Sequence, residues 1–559
     1  MCDEVGAAHS RMYRSLVGLT FGVKRPSAYA EDKSCADAPD CEIAGECSKV
    51  LHMQPFTRTF CLGVLVAAGG CVTDQTDTDE TVGETSSELT AIDHGRSIWF
   101  NNTYGGEKFF TFLANHPDPA KRITIGFANV VNTPRNVRFD TWGTINDPDC
   151  TANPGGGADI CADPGATGVV GIRKSPGPGG TTMYGSSCAG CHAGFDPLNP
   201  PSNPNEPTWK NIHATIGNQY AKFGKMFSAN LAPTDPRGLL FLSWADGTVD
   251  TQLLFSDNIH NPGVVTAFWE WGHRPKFDVG REDDQLRNGQ GGEDDLGPDI
   301  AALRVYTNIG VCFQQCTAPA VATNTPINLA ACRASCPDMP PQQDLNDLGA
   351  FLGSFTAPQF PGSAVPVLGA LGKVVFDFNC RGCHDTRQAK QHVLSNDEVN
   401  SLAADPANNT NICRAKSSMW ERGKLWSDFS SEVYKQRTEA GNRGYRTMPL
   451  GGIWATTPFT HNQGIGVPAA ATASPTQRAV AYWRSMDDLL SPTREPKINR
   501  IPVALGPFPA GTPTTLVFSR DPATGAVLCD DVVENHGHTY GSRLDPFSKF
   551  LLTYWLQYQ

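Results

Sequence analysis

The chain has 559 residues, with 45 Lys and Arg against 57 Asp and Glu and a formal net charge of −12. That length allows more than one domain with its own core, and the acidic balance speaks against nucleic acid as a partner. With 55 Gly and 42 Pro, loops should be abundant, and no apolar run reaches the length of a membrane-crossing helix.

Residues 1–52 carry Cys2, Cys35, Cys41 and Cys47 without sustained periodicity. They read as an unstructured or over-extended N-terminus, with Met53 as an alternative start. Residues 53–70 pair a positive Arg58 with the short apolar run 60–68, then small residues leading to Cys71. This resembles a bacterial lipoprotein signal with Cys71 as the lipidated residue; an ordinary secretory signal cut nearby is the alternative. Either reading sends the chain to the periplasm or cell surface, and the first anchors it to the outer membrane through lipid alone. Residues 71–91 are polar and acidic and are expected to be a flexible tether.

The folded part is expected to start near Ile92, where G-R-S-I-W-F (95–100) reads as a helix, followed by a turn-rich insertion over 101–180. Residues 185–194 read G-S-S-C-A-G-C-H-A-G, and Cys380, Cys383 and His384 repeat the pattern. Two thiols separated by two residues, with His directly after the second, form the attachment pattern of a c-type haem. The thiols form thioethers to the porphyrin and the imidazole becomes the proximal iron ligand. Zinc binding or disulfide formation is the competing use of such cysteines. Cys188, Cys191 and His192 thus define a first haem site, and Cys380, Cys383 and His384 a second.

Residues 209–227 read as a helix-prone stretch with Gly breaks. Residues 241–277 are dense in aromatic side chains, among them Trp244, Phe255, Phe268, Trp269 and Trp271. These are candidates for a pocket lining or an electron relay, and equally for core packing. Cys312, Cys316, Cys332 and Cys336 form two C-x3-C pairs. Cys at i and i+4 share a helix face, so a helical hairpin stapled by Cys312–Cys336 and Cys316–Cys332 is expected, with a metal site as the alternative. Cys150 and Cys161 close a Gly-rich loop, which leaves Cys413 and Cys529 for each other. Such bonds persist outside the cytosol.

Residues 344–352 place Leu345, Leu348, Phe351 and Leu352 on one helical face, closing a first domain at 92–355. A Pro-rich linker over 356–367 leads to a second domain, 368–559. There, 369–378 repeats the opening helix before the second motif, and 545–555 supplies a closing helix. Asp545 is its cap, Pro546 suits the first turn, and Phe547, Phe550, Leu551, Tyr554 and Trp555 form its apolar stripe. The expected fold is mainly α: two fused cytochrome c-type haem domains with long loop-rich insertions.

This layout resembles the di-haem cytochrome c peroxidase superfamily, and within it most of all the rubber oxygenase-like di-haem c-type cytochromes. The segment M-P-L-G-G-I-W-A-T-T-P-F-T-H-N (448–462) is similar to that group's P-L-x-G-I-W-A-T-A-P-x-x-H-N-G, and N-H-G-H-T-Y-G (535–541) to its N-x-G-H-x-Y-G. Asn462-Gln463 departs from the group's H-N-G. The resemblance implies that the N-terminal haem is the reactive one and the C-terminal haem relays electrons. It also implies His538 as the second axial ligand of the second haem, while Met448 offers the methionine loop of simple cytochromes c as the alternative. His461 and His536 read as hydrogen-bonding loop residues. His213, His260 and His273 stand in the first half without a ligand motif. Related peroxidases carry an interdomain calcium, and the acidic loop G-Q-G-G-E-D-D (289–295) offers oxygen ligands for one or stays a solvated loop. The expected activity is a haem-dependent oxidoreductase of peroxidase or oxygenase type, working with a small-molecule oxidant and an electron-donor or -acceptor protein. A pure electron carrier with both irons six-coordinate is the alternative, and a lipoprotein sensor or scaffold a third.

Overall fold

Ile98, Trp99 and Phe100 are buried at the end of the first helix, α1 (Thr81–Asn101). The computed structural model describes residues 81–116, 119, 122–250, 259–260, 262–265, 267–268, 341–384, 393–395, 413, 444–446, 450–535 and 537–559, all within the unit Thr78–Gln559. After α1 come α2 (Gly106–Ala114), α3 (Phe127–Asn132) and α4 (Arg135–Trp142), then two antiparallel pairs, β1 (Cys150–Thr151) with β2 (Ile160–Cys161) and β3 (Ile172–Pro176) with β4 (Thr182–Ser186). A single turn, α5 (Ala189–His192), carries the first C-x-x-C-H. It runs directly into β5 (Gly194–Phe195), which pairs with β6 (Ile212–His213). Next are α6 (Phe223–Ser228), α7 (Pro236–Leu242), and β7 (Thr248–Val249) paired with β8 (Gly263–Val264). The remainder holds α8 (Gln342–Gly353), α9 (Pro366–Asn379), α10 (Arg381–His384), β9 (Val393–Ser395) paired with β10 (Gly444–Arg446), α11 (Pro475–Leu489), α12 (Thr514–Phe518) and α13 (Pro546–Leu556). Among the described residues the architecture is therefore helices with small two-stranded antiparallel sheets.

Two helix crossings of the same construction organise it. In the first, Gly95 of α1 lies against α8 so closely that a Cβ there would fall 2.0 Å from the Asp347 carbonyl oxygen. One turn on, Trp99 meets Phe351 with ring centroids 6.2 Å apart. In the second, a Cβ at Gly372 of α9 would fall 2.1 Å from the Leu551 carbonyl oxygen of α13. One turn on, Phe376 meets Trp555 at 4.4 Å. A glycine with an aromatic residue four positions later thus faces a backbone carbonyl, itself followed four positions later by an aromatic residue, in both pairs. The glycine lets the backbones touch and the aromatic pair fills the space beside them. A hydrogen bond between His94 Nδ1 and Asp347 Oδ2, 2.7 Å long, flanks the first crossing. Tyr554 Oη accepts from the Val365 N–H at 2.6 Å beside the second.

Local chemistry accounts for the helix ends. The Asp545 carboxylate accepts from the N–H groups of Phe547 and Ser548, and Pro546 occupies the first turn of α13. Ser474 and Gln477 form a reciprocal capping box at the start of α11.

The structure departs from the sequence reading in three places. Helix α1 begins at Thr81, so the expected tether over 71–91 ends earlier than its boundary. Once the packed turns from Ile92 onward nucleate the helix, adding residues at its N-terminus costs little. The helix-prone stretch 209–227 is mostly not helical: a 3-10 turn at Trp209–Asn211 leads into β6, and Gly217 lies at φ 83° before α6. Pairing of β6 with β5 overrides the local propensity there. Phe547 is half exposed, so the apolar stripe of α13 starts one turn later and draws in Leu552 and Leu556.

Disulfides join Cys150 to Cys161 and Cys413 to Cys529. The four cysteines expected in a helical hairpin, 312, 316, 332 and 336, lie outside the described residues, as do residues 1–80, and so the signal segment and Cys71. Among the described residues no helix is long and apolar enough to cross a membrane.

Candidate functional site

The first motif is held from both sides. The Ser187 hydroxyl donates to the Phe100 carbonyl at 2.9 Å, tying the turn to the end of α1. The Ser187 N–H donates to the Gly171 carbonyl at 2.8 Å. Gly171 lies at φ 75°, and a Cβ there would fall 1.9 Å from the Gly190 nitrogen. Gly190, between the two thiols, would itself place a Cβ 2.4 Å from Ser186 Oγ. The slim Ala-Gly pair is therefore a packing requirement. On the far side, the His192 carbonyl accepts from Gly217 at 2.7 Å and the Cys191 carbonyl from Asn218 at 2.9 Å.

The two thiols face different apolar clusters. Cys188 packs with the group containing Trp99, Ala189 and Leu352, and Cys191 with the group containing Val130, Val169 and Phe227. Both are free thiols. Burial pushes Cys188 up to about 12, with Cys191 adding to the effect, and pushes Cys191 up to about 11.

The His192 ring is fixed by aromatic neighbours. Phe268 stacks on it with centroids 4.3 Å apart and planes 27° apart. Trp99 lies 5.7 Å away, its indole N–H given to the Ala214 carbonyl at 2.9 Å. Phe268 is held in turn by its own N–H, which donates to the Thr215 carbonyl at 2.7 Å. Of the aromatic candidates, Phe268 thus belongs to the side of the site that carries His192. Trp244 packs instead with Phe227 and Phe241, at 5.4 and 5.0 Å, in the other cluster. Phe255, Trp269, Trp271 and His273 lie outside the described residues, as does the acidic loop 289–295. His213 sits on β6 with its ring 5.4 Å from Phe355. Burial lowers its pKa, opposed by Asp196. His260 is buried, with Nε2 3.5 Å from Ser243 Oγ, and burial lowers it to about 4.

The second motif follows α9 directly, with Cys380 as the C-cap of that helix. The Cys380 N–H donates to the Phe376 carbonyl at 2.8 Å, and the His384 N–H to the Cys380 carbonyl at 3.0 Å. The half-buried Cys380 packs against a third apolar cluster, which contains Trp454, Tyr482 and Leu552. The residue brought to His384 from far along the chain is His538, with ring centroids 6.1 Å apart and planes 59° apart. Its Nδ1 is enclosed and has no hydrogen-bond partner among the described residues. Burial pushes His538 down to about 4, opposed by its own backbone and aided by the nearby Arg494 cation. The imidazole is therefore neutral at physiological pH, the form that ligates a metal. Met448 and His536 lie outside the described residues.

The two segments that carry the family resemblance meet at this loop. Asn462 Nδ2 donates to the Glu534 carbonyl at 2.5 Å and to its carboxylate Oε2 at 3.2 Å. The Asn535 side chain bridges Glu495 and Lys497, accepting from the Lys497 N–H at 2.8 Å and donating to the Glu495 carbonyl at 2.8 Å. Four hydrogen bonds from the Arg494 guanidinium complete the frame. Sequence reading missed Gly171, Glu534 and Arg494. Each acts through a contact distant in the chain, and none stands in a local pattern that announces it.

Burial pushes the Glu534 carboxyl from its ordinary 4.5 up to about 7, with Asn462 opposing and Asp531 adding. A carboxyl whose folded pKa is raised stabilises the fold fully below pH 4.5, and that contribution is lost as pH rises through about 7. In Glu534→Gln the denaturation midpoint should fall less than in the wild type over this window. Midpoints measured at half-unit pH steps check this; parallel curves for the two proteins would refute it.

No protein-family model matches the chain, and no curated protein matches it.

Proposed function

We propose that the chain is an exported di-haem c-type cytochrome with oxidoreductase activity, built of two cytochrome c-like haem domains and similar to the rubber oxygenase-like group. The observation that carries this is the His384–His538 pair behind the second C-x-x-C-H. The two rings lie 6.1 Å apart, centroid to centroid, close enough that both imidazoles would hold the iron of a second haem, which would supply electron transfer there. The repeated glycine-and-aromatic helix crossing beside each motif supports two homologous domains.

On this reading Cys188 and Cys191 anchor the first haem and His192 ligates it. Cys380 and Cys383 anchor the second, and His384 and His538 ligate it. When bound, the first haem activates dioxygen or peroxide and the second stores or passes an electron. The chain's own residues orient these groups. Phe268 and Trp99 fix the plane of the His192 ring. The Gly171–Gly190 contact sets the height of the first motif. The frame around residues 534–538 presents His538. A lipid anchor at Cys71 places the enzyme at the periplasmic face or cell surface, within reach of an electron-transfer protein and a small-molecule oxidant.

Carbon monoxide binding to the reduced protein tests the division of roles. The wild type should bind about one equivalent per chain, and His538→Ala should raise this toward two by opening the second iron. A wild type that binds none is the pure electron carrier. A His538→Ala protein that still binds one would remove His538 as the ligand.

A further inference from the structure

His538 stands at φ 50°, directly after Gly537 at φ 92°. A non-glycine residue in the left-handed region is disfavoured and persists only where its surroundings hold it. Among the described residues, the group that does so is Arg494. Its Nη1 donates to the carbonyls of Asn535 at 3.0 Å and Gly537 at 2.8 Å. Its Nη2 donates to the His538 carbonyl at 2.9 Å and to that of Leu489, at the end of α11, at 3.3 Å. One guanidinium thus bolts the histidine-bearing loop to a helix. All four acceptors are neutral carbonyls. The nearby Asp488 carboxylate is engaged by the Gly466 N–H at 2.8 Å. A half-buried cation is therefore held against the loop, with no carboxylate bonded to it among the described residues.

We propose that Arg494 is a positioning residue that holds His538 against the second haem and, through its charge, raises the reduction potential of that haem; this rests on the bis-histidine reading given above. The planar fork is needed for the first role, because it reaches three carbonyls of the loop at fixed angles, which a lysine ammonium does not reproduce. The charge alone is needed for the second. Reduction removes one positive charge from the iron, so a fixed cation nearby favours the reduced form.

The two roles separate in two variants of the full chain, Arg494→Lys and Arg494→Met, with His538→Ala as reference. Haem content is counted by pyridine haemochrome, carbon monoxide stoichiometry is measured on dithionite-reduced protein, and the second haem is titrated with redox mediators. In Arg494→Met, the ratio of reduced to oxidised second haem at a fixed poise should fall about tenfold, about 59 mV for a one-electron couple. Carbon monoxide binding should rise from about one toward two per chain. In Arg494→Lys, the loosened His538 should yield to carbon monoxide likewise, but it still ligates the iron when carbon monoxide is absent, so the potential measured without the gas should stay near that of the wild type. Wild-type potential and stoichiometry in a fully loaded Arg494→Met overturn the proposal. If Arg494→Met loads poorly, Arg494→Lys decides alone, since unchanged carbon monoxide binding in it overturns the positioning role. A wild type with fewer than two haems, or a His538→Ala protein with unchanged stoichiometry, overturns the underlying ligand reading instead, whatever the Arg494 variants do.

Discussion

Cys188→Ala is expected to lower covalently bound haem from about two to about one per chain, and Cys380→Ala to do the same from the other end. Thioether bonds survive acid-acetone extraction and denaturation, so pyridine haemochrome of the extracted protein reads the count directly. Neither motif can substitute for the other, because each is set beside its own helix crossing. At the first, the Gly171–Gly190 contact and the buried Ala189 fix the turn between the thiols, leaving no room to shift register. The two thiols of that turn face separate apolar clusters, so Cys191 alone should not seat a ring well enough for its own thioether to form. A count unchanged in both variants, or a wild type with no extractable-resistant haem, would remove covalent attachment from the account.

Gly372→Val is expected to disrupt the second half of the molecule. The added carbon would fall 2.1 Å from the Leu551 carbonyl oxygen and 2.6 Å from Trp555 Cβ. The first of these is backbone, which no rotamer change relieves. The helices must part, which separates Phe376 from Trp555 and withdraws the scaffold from Cys380. Overpacking of this kind costs about 1–3 kcal/mol where neighbours can yield and more where they cannot, and the upper end is expected here. Gly369→Ala on the same helix is the control. Nothing lies within 4 Å of a Cβ at that position, so it should be neutral or stabilise by up to about 1 kcal/mol through helix propensity. Denaturant midpoints measure both. A Gly372→Val protein as stable as the Gly369→Ala control would refute the close crossing.

Several features were legible in the sequence because their physics is local. The cap, first-turn proline and buried Leu551 and Tyr554 of α13 follow from spacing alone. Pairing of Cys150 with Cys161 and of Cys413 with Cys529 followed from setting aside the motif cysteines. The opening helices were legible as short apolar runs, but the reason for Gly95 and Gly372 was not, since the carbonyls they face come from helices much later in the chain. Residues 209–227 misled because helix propensity is weak beside a strand partner. The His384–His538 juxtaposition was reached through a resemblance of seven residues, whereas the groups that hold it, Arg494 and Asn462, carry no local signature. Phe268 stands out in the sequence only for its aromatic neighbourhood, and its stacking on His192 is what assigns it to that residue's side of the site.

Both helix crossings join segments that leave the ribosome far apart in time. His94 and Asp347 are 253 positions apart, and Val365 and Tyr554 are 189. During synthesis the Cys188–His192 turn therefore emerges well before α8, the helix that closes its scaffold. The motif is presented as a half-built cradle, with α1 available and its partner still to come. Closing such long loops is slow and entropically costly until the contacts that reward it can form. The interval is a window in which the turn lacks its closing helix, and the arrival of α8 ends it. Closure of each crossing is thus ordered by the position of its later helix, the N-terminal one first.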